Sequence, residues 1–241
     1  MVDAGSGPDR VGITRRERIQ ERALGEILDA ARDELRLHGP SGVTMRAVAR
    51  AVDMTPSGLY RHVSGHDELL GLLAADAYEG LASVMAQARA SAPETDHATA
   101  WYRVAMAMRQ WHFAHRSEYE LLVSPRLITV VPDRLQEAAG GALEMLARIV
   151  ADAIESGQLD PQASAFPVTS ARASEDLPAA ARSISLSALA SLAGHVGFEA
   201  RGFLGATDMD PQEYFSAYLR GLMKLMGFVV EPGPLVMPDL H

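Results

Sequence analysis

The chain has 241 residues, no cysteine, and 31 acidic against 22 basic side chains, a formal charge of −9 at pH 7. That length buries a sizeable core unaided, and the lack of cysteine excludes a disulfide framework, a thiol nucleophile, an iron–sulfur cluster and a Cys-ligated zinc site. No uninterrupted apolar run approaches the roughly 18 residues of a membrane span, and residues 1–18 hold no apolar signal region, so a soluble, cytoplasmic protein with no membrane partner is expected.

The charge is uneven. Residues 1–66 carry ten Arg and nine acidic residues, a net of +1; residues 67–241 carry twelve basic and twenty-two acidic residues, a net of −10. An acidic body with an arginine-studded head suits nucleic acid at one end only. Apolar residues recur at steps of three and four, and β-branched runs of period two are absent, so an all-α fold is predicted.

In chain order, residues 1–14 are expected to form a disordered arm. Residues 16–38 read as a first helix with Ile19, Ala23, Ile27, Ala30 and Leu37 near one face, stopped at Gly39 and Pro40. Thr44 opens a short helix to Val52, and Thr55 with Pro56 opens another to about Val63. Ser64, followed by Asp67 and Glu68, resembles a capping box and starts a helix to about Arg89. Further helices are predicted over about 97–116, then a shorter one halting at Ser124 and Pro125. Another runs from Pro132 to a stop at Gly157, one from an Asp176 cap to about Phe203, and a last one from Asp210 to about Met226. Residues 157–177 read as a loop, and the tail from Glu231, with three prolines, as loose.

The informative stretch is 44–70. A short helix, a turn of about three residues and a second short helix make a helix-turn-helix. Ala49 is small where the two helices cross, Val48, Val52 and Leu59 form a miniature core, and Asp53 stands at the turn, where a positive φ is expected and Asp tolerates it. Thr55 caps the second helix, leaving its N-terminal end free to enter a major groove. Read from residues alone, the pair also suits ordinary core packing, with Tyr60 as a structural capstone.

Thr44, the Val48-Ala49 step, Gly58-Leu59-Tyr60, His62 and Leu69-Leu70 resemble, in order and spacing, the tetracycline-repressor (TetR) family of transcriptional regulators. The resemblance implies a three-helix DNA-binding domain over residues 15–64 and a larger helical ligand-binding and dimerisation domain over 65–230, with 231–241 a tail. It implies a homodimer through the last two helices, a double-stranded operator, a small-molecule effector, no cofactor and no enzymatic activity. Tyr60, His62 and Thr44 are then expected at phosphates, Arg46 at a base or phosphate, and Thr55, Ser57 and Gly58 where the recognition helix meets the groove. Arg15, Arg16 and Arg18 are within reach of the neighbouring minor groove or are a solvated helix start. Two positions depart from the family pattern: Asp53 replaces a usual Gly, and His66 replaces a usual Lys phosphate anchor. An imidazole is mostly neutral at pH 7, so one fewer strong phosphate contact is expected.

In the body, Trp101, Met108, Trp111, His112 and His115 crowd one helix, with Phe166 available from a later segment. Such aromatic and Met side chains suit an adaptable apolar pocket, or equally a plain core; Arg109 is a further candidate polar group. His112 and His115, three apart, lack a third ligand at a telling spacing. The function expected is a ligand-responsive DNA-binding regulator, a repressor released by a small apolar or amphipathic molecule. The alternative is a small-molecule sensor or carrier with a degenerate DNA-binding head, favoured by His66, Asp53 and the weakly basic head and opposed by Thr44, Tyr60 and His62.

Overall fold

Four helices start on a side-chain oxygen that accepts backbone N–H groups of their own first turn, satisfying donors that have no partner inside the helix. Thr44 accepts from Ala47, Thr55 from Gly58, Asp96 from Thr99, and Asp210 from Gln212 and Glu213. The computed structural model describes residues 14–124, 133–168, 177–206, 210–229 and 231–233. Their helices are α1 (Arg15–His38), α2 (Met45–Ala51), α3 (Pro56–Leu59), α4 (His66–Ala90), α5 (His97–Ala114), α6 (Arg116–Leu122), α7 (Asp133–Glu155), α8 (Ala179–Ala200) and α9 (Pro211–Met226), with a 3-10 turn at Phe203–Ala206. The fold is all-α, with an isolated β bridge between Leu159 and Phe228.

Two apolar cores organise the helices. In the head, Ile27, Leu35, Val48, Leu59 and Leu69 bring α1, α2, α3 and the start of α4 together. In the body, Trp101, Met106, Leu146, Ile149, Ile184 and Phe215 join α5, α7, α8 and α9. The longest helix, α4, serves both: Leu69 to Ala75 enter the head core, and Leu81, Met85 and Ala88 enter the body core. Among the described residues α4 alone is long and apolar enough to cross a membrane, yet half of its apolar window is buried in these two cores.

Several boundaries differ from the sequence reading. On α1 the buried stripe is Ile27, Ala31 and Leu35 with Leu28, while Ile19 and Leu37 are exposed; the true stripe runs in steps of four, which carries Leu37 to the far side. α3 closes at Leu59 because the N–H groups of Arg61 and His62 bond three residues back, to Gly58 and Leu59, tightening the last turn. Ser64 does not cap α4; the cap position is Gly65, although Glu68 reaches back to accept the Ser64 N–H. α8 ends at Ala200, not Phe203, and starts behind Pro178; the expected Asp176 cap lies outside the described residues, as do the arm 1–13 and residues 234–241.

The start of the tail is held, not loose. Gly233 donates to the Thr99 hydroxyl at 2.7 Å, and Glu231 pairs with Lys224 and Arg220. Gly227 ends α9 at φ +100°, where a Cβ would stand 2.3 Å from the Asp160 carbonyl oxygen. Only glycine allows this approach, which lets Asp160 donate to the Gly227 carbonyl and pins the 157–168 loop to the end of α9.

Candidate DNA-binding edge and ligand cavity

The turn between α2 and α3 has the geometry its sequence asks for. Asp53 adopts φ +52°, the only positive φ among the described non-glycine residues, and Met54 donates back to the Ala49 carbonyl at 2.8 Å. Leu59 is fully buried beneath the crossing. The outer edge is polar: Thr44, Arg46, Thr55, Ser57 and Tyr60 are exposed, Gly58 and His62 half-buried. Arg46 makes no ion pair with a described residue, so its guanidinium is free for an anion or a base. Tyr60, at 52% exposure, presents its ring and hydroxyl to solvent.

Thr44, Thr55, Ser57 and His66, all expected contact residues, are partly committed inside the protein. The Thr55 hydroxyl accepts from Gly58 and lies 3.0 Å from the Ser57 hydroxyl, so the recognition helix offers little free hydrogen-bonding capacity at its leading end. His66 sits at the start of α4 with Nε2 against the Val43 carbonyl. A carbonyl only accepts, so Nε2 carries the proton and ties α4 to the loop before α2, leaving Nδ1, 3.9 Å from the Asp67 carboxylate, as the ring's other polar atom.

Ion pairs join head to body. On α1, Arg32 bonds Asp76 of α4 at 2.7 Å, and Arg36 reaches Glu118 of α6 at 3.4 Å. Glu118 is 8% exposed, so this carboxylate has lost most of its water and the Arg36 bond replaces part of it.

A cavity of about 350 Å³ lies among α4, α5, α6, α7 and α8. Its wall is almost wholly aliphatic, with Met85, Met108, Leu146 and Leu189 among the lining residues. Its polar exceptions are Tyr78, His112 and Tyr119, and no charged side chain lines it. The Tyr119 hydroxyl donates to the Ala193 carbonyl at 3.4 Å, and Gly197 makes room for it, since a Cβ there would fall 2.8 Å from that oxygen. The rings of His112 and Tyr119 meet edge to face at 4.4 Å. Burial pushes the His112 imidazole below its ordinary pKa, with the Met108 carbonyl bond opposing, and raises both tyrosines.

Of the six residues proposed for the pocket, Met108 and His112 line it. Trp101 is fully buried against Phe228 in the body core. Trp111 turns away and stacks on His115 at 4.8 Å, whose Nδ1 donates to the Trp111 carbonyl. Phe166 packs on the body core near the end of α9. Arg109 is not in the wall either: it forms a buried bidentate pair with Glu199, between the rings of Phe113 and Phe215. No cluster of three metal-ligating side chains occurs among the described residues. The sequence reading missed Tyr78, Tyr119 and the α8 wall, for which only the three-residue spacing of Tyr119 and Leu122 on one short helix offered a signal.

Two family descriptions match this architecture. One, the tetracyclin repressor-like C-terminal domain, matches residues 101–222; the other, bacterial regulatory proteins of the tetR family, matches residues 27–73. The HTH-type transcriptional regulator Rv1816 of Mycobacterium tuberculosis is 28% identical over 228 residues, 90% of this chain and 97% of its own. The solved structure of SCO4313, described as a regulatory protein, is 26% identical with a TM-score of 0.67, covering 87% of this chain and 99% of that one. AibR, solved with isovaleryl coenzyme A and operator DNA, shares the fold at 14% identity and a TM-score of 0.54, over 87% of this chain and all of its own. With head and body both matched, the chain belongs to the TetR family: it is a helix-turn-helix, DNA-binding transcriptional regulator.

Proposed function

We propose that the protein is a homodimeric repressor, working in the cytoplasm, that leaves its operator when a small apolar or amphipathic molecule fills the cavity. The observation carrying this reading is that Tyr78 of α4 and Leu122 of α6 line the cavity and also pack against the head core. A ligand that shifts either residue acts directly on the packing that orients α1 to α3. The Arg32–Asp76 and Arg36–Glu118 pairs give the same two helices a polar grip on α1. The ligand changes operator affinity only by the ratio of its affinities for the two head positions.

Dimerisation rests on the bare apolar surface of the last two helices: Phe198 on α8, Tyr214 and Leu225 on α9, and Phe203 between them are exposed. Covering such a surface by a two-fold copy is the usual arrangement, and it would set two heads for half-sites ~34–36 Å apart. On each head, Arg46 supplies direct readout while Thr44, Tyr60 and His62 supply backbone contacts. AibR, a protein of like fold, is solved with isovaleryl coenzyme A and operator DNA together. The test is gel retardation of the DNA flanking the protein's own gene at low salt. Retardation by the wild type, weakened by Arg46→Ala, supports the reading; no retardation contradicts it.

A further inference from the structure

The polar atoms of the cavity wall define what an occupant must offer. His112 Nδ1 faces the Met108 carbonyl. Because that oxygen only accepts, Nδ1 holds the ring's proton and Nε2 is left with a lone pair. No hydrogen bond to Nε2 occurs among the described residues, and it is not one of the fully buried orphan atoms, whereas His195 Nε2 and His97 Nδ1 are. The ring lines the cavity, so this acceptor is reachable from within it. Beside it, the Tyr119 hydroxyl already spends its proton on Ala193. Around both, the wall is aliphatic apart from Tyr78 and carries no Arg or Lys.

An anion placed against this wall would give up part of its water with no cation to replace it, which costs free energy. A group with an O–H or N–H instead satisfies a lone pair that is otherwise unpaired, and a site built around such an acceptor rejects analogues that lack the donor. We infer that the effector is an uncharged molecule with an apolar body and one hydrogen-bond donor, an alcohol, phenol or amide, that bonds His112 Nε2, rather than a carboxylate or other anion. This rests on the cavity being the effector site and adds the chemical class that site takes. Protonation of His112 would turn its acceptor into a second donor; burial in this wall opposes that change.

The experiment is calorimetric titration of the full-length protein with three probes of matched length: 1-decanol, its isostere 1-methoxynonane, and decanoate. The expected result is that decanol binds about tenfold more tightly than the ether, and tighter still relative to decanoate. His112→Phe should bring decanol and the ether within about threefold of each other. Equal binding of decanol and ether to the wild type, or tightest binding of decanoate, overturns the inference without any variant having to fold. In those two cases Ala142→Phe, which intrudes on the wall, should still abolish binding, leaving the effector site itself intact. If no probe binds the wild type, or if Ala142→Phe leaves probe binding unchanged, the effector-site reading fails, and the inference with it.

Discussion

Head and body are built on opposite plans. The head places a small apolar core under an exposed polar edge, so its proposed DNA contacts lie outside, in side chains such as Arg46 and Tyr60 that touch little of the protein. The body places its proposed effector site inside: a hollow of about 350 Å³ walled by side chains that also serve as core. The lesson is where tolerance lies. Substitution of Arg46 or Tyr60 changes binding without cost to the fold, the capping hydroxyls of Thr44 and Thr55 serve both, and the body tolerates change only where its wall can give.

The largest expected effect belongs to the body's buried ion pair. Glu199→Ala strands the Arg109 guanidinium, now 12% exposed, and should lower stability by about 3–5 kcal/mol, measured by urea unfolding. The exposed Arg22–Glu26 pair of α1, by contrast, should be worth no more than about 0.5 kcal/mol. Next, Leu59→Ala, at a fully buried position of the head, should cost about 2–5 kcal/mol. It should abolish retardation while circular dichroism retains most of the body's helix. Thr55→Ala removes the cap of α3 and should cost about 1 kcal/mol, read from the same unfolding curves and from weakened operator binding.

A pH effect sharpens the contrast, because the two depressed histidines are in the body. Burial lowers His112, the Met108 bond opposing, and burial lowers His195, with Glu199 opposing and Arg109 adding to it. Unfolding returns both to about 6.5. As pH falls below that value the unfolded chain takes up protons first, so stability should decline until the folded rings protonate as well. The urea midpoint should fall from pH 7 to pH 5.5, and less steeply in His112→Phe. The smallest effect on stability belongs to Tyr60→Phe, which should leave the midpoint unchanged and weaken operator binding about three- to tenfold.

The head was largely legible in the sequence because its devices are local. A cap acts across three residues, as Thr55 does on Gly58, and the positive φ of Asp53 answers a turn two residues beyond α2. The end of α9 was legible for the same reason. The body was not, because its site is made by helix crossings. Trp101 and Met108 belong to one apolar helix, yet the first faces the core and the second the cavity. Tyr78, Tyr119 and Leu189 meet around one hollow from three helices. Arg36 and Glu118, 82 residues apart, carry no periodic mark of their pairing.

All of the proposed regulation depends on the α2–α3 edge reading DNA. Fluorescence anisotropy with labelled operator and a scrambled duplex of equal length, for wild type and Arg46→Ala, tests it most directly. The expected result is a wild-type preference for operator that Arg46→Ala reduces by about 1–3 kcal/mol, with much less change on the scrambled duplex. Equal affinity of the wild type for both duplexes, or a variant that discriminates as well as the wild type, would contradict it.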